Sequence, residues 1–378
     1  MKASMSRQRR SLLVVMRWAF IATLAAALGG CVDMDGAADY VGLCCGSGSA
    51  PAPRPRLVQV FIASMRKGES GAAAQNASVD GTHFALATLT LPPSHQSGAI
   101  ETPNWGSATA EKHIVLAGER QLDGDEFRAE LASHISGRIG VNRDVLVFVH
   151  GFNNSFEEAR MRTAQIAADS RFGGVPVLFT WPSKNELFGY ESDKDSAMAS
   201  RDALEELLEQ VAATPGIGKV HILAHSMGGW LAMEALRQAS LAGHRDLEGH
   251  LGEVMLANPD IDMDVFATQM ARITPAKVTV FATANDRALS LSSAIAQSRK
   301  RVGAIDPAKP EDKAQLEALG AKVYDLSAFS DGFIDHGAYA AAPDVLHAIG
   351  AQMAAPRAAE TNTVSIIDAS GYSDKPAN

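Results

Sequence analysis

From residue 145 onward, short runs of wholly apolar residues alternate with longer segments whose apolar positions recur every three or four residues. The runs are Val145–Val149, Val175–Thr180, Val220–Ala224, Glu253–Ala257, Val278–Thr283 and Ala321–Leu326. Between them lie segments of helical period, roughly Phe156–Ser170, Ser196–Ala213, Met227–Ala239, Met263–Ala271 and Leu291–Arg299. A strand that is apolar on both faces must be covered on both faces. Alternation with amphipathic helices therefore predicts an α/β fold, a mostly parallel sheet with helices on both sides. Upstream, LVQVFIAS from Leu57, HFALATLTL and His113–Leu116 read as strands without long helices between them, and Asp125–Ile139 reads as the first long helix. The N-terminal edge of the sheet is accordingly expected to be antiparallel. No internal repeat is evident, and no membrane-spanning run follows residue 30.

The two ends of the chain read differently. Lys2, Arg7, Arg9, Arg10 and Arg17 precede a short apolar stretch, Ala19–Leu28, which closes on Leu28-Gly29-Gly30-Cys31. Basic residues before so short a core mark a signal peptide over residues 1–30 rather than a membrane span. Its last four residues resemble the bacterial lipobox, which implies cleavage before Cys31 and acylation of that cysteine. Arg9-Arg10 faintly echoes a twin-arginine signal, but Arg17 interrupts the apolar run. Residues 31–56, rich in Pro, Gly and Ser, suit a flexible tether. The layout expected is a signal peptide (1–30), a lipid-anchored tether (31–56), one folded α/β domain (57–353) and a polar tail (354–378) in which Val364–Ile367 has the character of a short strand.

Charge narrows the partners. The formal net charge is −9, and removal of residues 1–30 takes away five cations and no anion, leaving −14. So acidic a protein is a poor ligand for nucleic acid or anionic lipid. Membrane attachment is expected through acyl chains on Cys31, which need at least two chains to hold. In lipoproteins of this kind, Val32 rather than Asp after the cysteine leans toward the outer membrane of a cell envelope that has one. Cys44 and Cys45 are adjacent, so a bridge between them would be strained, and they form no metal motif.

The candidate chemistry centres on KVHILAHSMGGW, Lys219–Trp230. A strand, a sharp turn at Ser226 and a helix, with small residues Ala224 and Gly228 two positions either side, form a nucleophile-elbow pattern. Ala224 stands where the pattern more often has Gly. A serine hydroxyl needs a base within hydrogen-bond reach. In a parallel sheet that base comes from a loop at the same edge, after a later strand. His336, in Asp331-Gly332-Phe333-Ile334-Asp335-His336, is so placed. An acid that orients the imidazole belongs after an intermediate strand. Asp286 in Asn285-Asp286-Arg287 is favoured, and Asp260 and Asp262 in Pro259-Asp260-Ile261-Asp262 stay open as alternatives. Oxyanion stabilisation calls for backbone N–H donors; Met227, opening the elbow helix, and Phe152, after the strand ending in His150-Gly151, are the candidates. His150 itself reads as a buried residue that holds this loop, not as the base. His221 and His225 have the i, i+4 spacing of a helical zinc pair but lie on a strand, and no H-E-x-x-H is present. The polar stretch with Tyr190, Asp193 and Asp195 suits either a lid over the pocket or a solvated connection.

HGFNN from His150, WPS from Trp181, AHSMGG, NPDID, NDRAL and DHGAY together resemble the α/β-hydrolase superfamily. Within it they are most similar to a bacterial family of hydrolases of unknown function, often labelled esterase- or lipase-like. The resemblance covers about Leu57 to Met353. It implies an α/β-hydrolase fold and a Ser226-His336-Asp286 triad without a cofactor or metal. The implied substrate is small-molecule or lipid acyl, a carboxylic ester or thioester, with an amide also open. A non-catalytic envelope lipoprotein using the fold as a binding module, and an acyltransferase with the same triad, are the competing readings. The sequence sets no oligomeric state.

Overall fold

The computed structural model describes residues 54–66, 79–184, 186, 189–273, 276–284, 300–329 and 337–354. All lie in one compact unit, Pro53–Asn378. Cys31, Cys44, Cys45, Asp286, His336, the expected helix at 291–299 and the tail strand at 364–367 fall outside the described residues.

The three upstream strands, β1 (Arg56–Arg66), β2 (Val79–Leu91) and β3 (Val115–Leu122), pair antiparallel as a meander. Six more follow: β4 (Val145–Val149), β5 (Val175–Thr180), β6 (Val220–His225), β7 (Leu251–Ala257), β8 (Lys277–Ala282) and β9 (Lys322–Asp325). Among the described residues they build one nine-stranded sheet in the order β3-β2-β1-β5-β4-β6-β7-β8-β9, parallel from β1 onward. The mostly parallel sheet with an antiparallel N-terminal edge is as the apolar pattern predicts.

Strand residues alternate between faces, and the two cores record that alternation. Val145, Val147 and Val149 join one core with Phe179, Ile222 and Leu256. Leu146 and Phe148 join the other with Leu178, Leu223 and Met255. The first core is covered by helices α1 (Gly124–Ile135), α4 (Arg201–Ala212), α5 (Met227–Ala242) and α6 (Met263–Ile273), through residues such as Phe127, Leu207, Leu231 and Phe266. On the second lie α2 (Phe156–Asp169) and α9 (Pro343–Met353), through Ile166 and Leu346. Helices α3 (Tyr190–Ala199), α7 (Pro310–Ala318) and the single turn α8 (Ala338–Ala341) complete the elements used below.

Several boundaries depart from the sequence expectation for local reasons. Helix α1 starts on an Asp123–Glu126 capping box but ends at Ile135, not Ile139, because Gly137 turns into the left-handed region at φ 77°. The segment expected as one helix over 196–213 is two, α3 and α4, broken at Ser200, whose hydroxyl donates back to the Ser196 carbonyl. Strand β3 runs on to Leu122 through AGERQ, mostly exposed edge residues that carry no apolar alternation. Helix α7 has only Asp312 and Leu316 buried, so its sequence shows no apolar stripe.

Candidate active site

Strand β6 lies between β4 and β7, so its C-terminal end opens at the middle of the parallel edge. There the chain turns from strand to helix within one residue. Ser226 has φ 53° and ψ −122°, a region that non-glycine residues occupy only when their surroundings force it. Three backbone hydrogen bonds supply the force. The Ser226 N–H donates to the Ala257 carbonyl at 2.9 Å, while its own carbonyl accepts from Gly229 N–H at 2.9 Å and Asp260 N–H at 3.1 Å. The turn works only because its neighbours are small. A Cβ on Gly228 would lie 2.2 Å from the His150 carbonyl oxygen, and one on Gly151 would lie 3.0 Å from the Ser226 Cβ. Gly228 is therefore required by close approach of helix to strand, as the elbow pattern implies.

The two candidate oxyanion donors follow from planarity. In a trans peptide the C=O and the next N–H point in opposite directions. The Ser226 carbonyl is pinned by two donors, which turns the Met227 N–H away from Gly229 and Asp260. On the other side of the turn, the Gly151 carbonyl accepts from His150 Nδ1 at 2.9 Å, which turns the Phe152 N–H away from His150.

A buried polar network holds that second plane. His150 is fully buried and stacks on Trp181 with ring centroids 5.0 Å apart. Because its Nδ1 faces a carbonyl, Nδ1 carries the proton and Nε2 accepts, from Thr180 Oγ1 at 3.0 Å and from Trp181 N–H at 3.3 Å. Thr180 Oγ1 in turn accepts from Arg66 Nε at 3.0 Å. Two further guanidinium nitrogens of Arg66 donate to the Ser183 and Asn154 carbonyls at 3.1 and 2.8 Å. Burial, with the Arg66 charge second, pushes the His150 pKa down to about 3, so the ring is neutral. Burial lowers Arg66 to about 10, with nearby Asp193 opposing. Asp193, from α3, accepts from Ser183 Oγ at 2.6 Å and Lys184 N–H at 2.9 Å; burial raises its pKa. His150 is thus a loop-holding residue, as its sequence position suggests.

The remaining candidates separate by surroundings. Asp262 Oδ1 accepts from Asp264 N–H at 3.0 Å and Val265 N–H at 3.3 Å, the geometry of a cap on α6. Asp260 is buried; it accepts from the Tyr190 hydroxyl at 2.7 Å and pairs with Arg301 Nε at 3.2 Å. Tyr190 packs edge-on against Phe152 at 5.6 Å, and α3 walls one side of a cavity of about 260 Å³ that Met227 and Trp230 also line. His221 and His225 have separate partners: His221 Nε2 lies 3.3 Å from Asp144 Oδ2, and His225 stacks on Tyr339 at 4.6 Å. Gly337, the residue after His336, caps α8, which carries Tyr339. Toward the other flank, β8 ends at Ala282 beside β7, four residues before Asp286.

Reading the sequence missed Arg66, Thr180 and the contacts of Asp193. The available signal was Arg66, the first charge to follow the apolar run VFIASM, since a charge so close to a buried strand is stable only with partners. Arg301 and Lys194 left no signal of comparable strength.

Residues 123–356 match the family described as alpha/beta hydrolase of unknown function (DUF900). The chain belongs to this family. The matched stretch contains the elbow, the His150–Asn154 loop and every strand from β4 to β9. Over 62 residues the chain is 34% identical to an uncharacterized protein of Nostoc sp., covering 16% of each. Among solved structures, an esterase of Pyrobaculum calidifontis is similar at 14% identity and TM-score 0.37, over 80% of this chain and 86% of that one. Est1E from Butyrivibrio proteoclasticus is similar at 9% identity and TM-score 0.37, over 74% of this alpha/beta hydrolase and 98% of its own chain.

Proposed function

We propose that this alpha/beta hydrolase is a serine hydrolase of carboxylic esters or thioesters. The observation that carries the proposal is the backbone of Ser226, held at φ 53° where the central strand meets its helix. A strained turn that raises one hydroxyl between two oriented peptide N–H groups serves acyl transfer.

In this reading Ser226 Oγ attacks the acyl carbonyl carbon while His336 takes its proton. The charge that develops on the carbonyl oxygen is received by the N–H groups of Phe152 and Met227. The C–O or C–S bond then breaks and the leaving group departs with the proton held by His336. Water, deprotonated by the same imidazole, attacks the acyl-enzyme and releases the acid with Ser226 restored. Asp286 orients the imidazole. Two chain-length arguments support these partners. Tyr339, only three residues beyond His336, stacks on His225, the neighbour of Ser226. Asp286 stands four residues past a strand end that is one strand removed from β6. No residue can lie farther than about 3.5 Å per intervening residue from its anchor.

A fluorophosphonate probe tests the assignment. Stoichiometric labelling of the wild type, absent in Ser226→Ala, is expected; no labelling of the wild type would favour a binding module. Release of alcohol with water as sole acceptor, unaffected by added alcohols, separates hydrolase from acyltransferase. We also propose that Cys31 carries the lipid anchor and holds the domain on the envelope surface. Recovery of Cys31→Ala in the membrane fraction at wild-type levels would contradict this.

A further inference from the structure

We infer that the cavity beside Ser226 selects acyl substrates bearing a second, free carboxylate, and that Arg301 is the residue that recognises it. The inference rests on the serine-hydrolase reading above and names the substrate class for that site.

The cavity opens off the elbow, between α3, the first turns of α5 and the segment Asp260–Val265. Its charged lining is formally balanced, with Lys194 and Arg301 against Asp260 and Asp262. Hydrogen-bonding capacity is not balanced. Asp260 already accepts from the Tyr190 hydroxyl and is ion-paired with Arg301, and Asp262 Oδ1 receives two backbone N–H groups of α6. On the cationic side, no described group accepts a hydrogen bond from the Arg301 guanidinium. Lys194 has no ion pair among the described residues, and its ammonium lies 5.4 Å from the centroid of the Trp230 ring. Among the described residues, what the lining has in excess is therefore donors.

Arg301 is preorganised as well as under-used. It is 8% exposed, so little of the group faces bulk water. The residues that follow it are tied to the loop after β7, whose Asp260 N–H donates to the Ser226 carbonyl: Val302 N–H donates to the Ile261 carbonyl at 2.8 Å and Gly303 N–H to the Pro259 carbonyl at 2.9 Å. Gly303 allows this approach, since a Cβ there would meet the Asn258 carbonyl carbon at 2.4 Å. The Arg301 Nε is buried and its hydrogen is accepted by no described group, and a planar guanidinium fork matches the two oxygens of a single carboxylate. Trp230 and Tyr190 supply apolar walls for the intervening methylenes. A formal net charge of −9 gives no long-range attraction for an anion, so recognition here is short-range.

The test compares two 4-nitrophenyl esters of glutaric acid, one with a free distal carboxylate and the other with that carboxylate methylated. Charge-assisted hydrogen bonds of this kind favour the anion by about tenfold or more in kcat/KM. Arg301→Gln should bring the ratio of the two substrates to about one. Arg301→Lys, which keeps the charge and loses the fork, should leave an intermediate ratio, and Lys194→Gln should lower it several-fold in a protein whose Asp260 pair is intact. A ratio near one in the wild type, or one that folded Arg301→Gln and Lys194→Gln leave unchanged, overturns the inference. Calorimetry with Ser226→Ala and the same two esters separates this failure from that of the underlying reading. Anion-selective binding without turnover by the wild type would sink the hydrolase assignment and keep the carboxylate pocket; turnover without selectivity would do the reverse.

Discussion

Strand β4 ends in a buried polar cluster at each of its two ends, and only one of them borders the loop that carries a proposed oxyanion donor. At the N-terminal end Asp144, fully buried, accepts from Lys219 N–H at 2.7 Å and lies 3.3 Å from His221 Nε2. Glu253 N–H donates back to His221 Nδ1 at 3.0 Å. These bonds run between neighbouring strands and tie β4, β6 and β7 where they begin. At the C-terminal end His150, Thr180 and Arg66 form a cluster of similar size, but its outermost bonds go to loop carbonyls, those of Gly151, Asn154 and Ser183. A buried histidine with good partners is thus no evidence of chemistry by itself. What distinguishes the two ends is where the last bond lands: on the ladder, or on the peptide plane between Gly151 and Phe152, the proposed oxyanion donor.

Substitutions should separate the two ends, and the largest effect is expected at the end beside the proposed site. His150→Ala releases the Gly151 carbonyl and with it the Phe152 N–H. Loss of one oxyanion donor costs about a hundredfold to a thousandfold in kcat, with KM little changed, in steady-state ester hydrolysis. Asp144→Ala should show the opposite split. It leaves a buried N–H and imidazole without their carboxylate, a loss of about 3 kcal/mol in denaturant unfolding, while kcat of the folded protein stays within about twofold. Interchanged results would remove the distinction drawn here.

Acid titration sharpens the contrast. His150 is neutral in the fold with a pKa near 3, whereas the unfolded chain protonates it near the ordinary value of about 6.5. Between those two values the unfolded state binds the extra proton, so stability falls as pH falls. The acid limb of the stability–pH curve should flatten in His150→Asn. His95 is the internal control with the opposite sign. The hydrogen bond that His95 donates to Asp169, with the one to Glu101 beside it, raises its pKa. Its contribution is complete below about pH 6.5 and is lost as pH rises through the raised value, so His95→Gln should flatten the neutral-to-alkaline decline. The smallest expected effect is at the elbow itself. Ser226→Gly relieves a positive φ and should raise stability by about 1 kcal/mol while abolishing probe labelling.

The parallel core of the fold was legible from residue patterns because β4 to β8 are apolar on both faces, and the elbow because Ala224, Ser226 and Gly228 carry a geometric requirement. Elements whose stability comes from edges or polar partners were not. β3 and α7 show no apolar period, and Ser200 breaks a helix by a back-bond that a periodicity count passes over. Within the candidate site, Ser226, Met227 and Phe152 were named from motif and strand order. The support beneath them could not, since Arg66 meets Thr180 and Asn154 across separations of 114 and 88 residues. Asp262 illustrates the limit from the other side: in the loop after the strand next to the elbow's, its Oδ1 accepts from two N–H groups at the start of a helix.

The central claim is that Ser226 lies between two oriented amide donors that receive an oxyanion. A crystal structure of the protein inactivated by a fluorophosphonate measures this directly. The account predicts phosphorus bonded to Ser226 Oγ, with the phosphoryl oxygen about 2.7–3.1 Å from both the Phe152 and the Met227 amide nitrogens. A phosphoryl oxygen turned away from both amides, or an adduct on another residue, would contradict it.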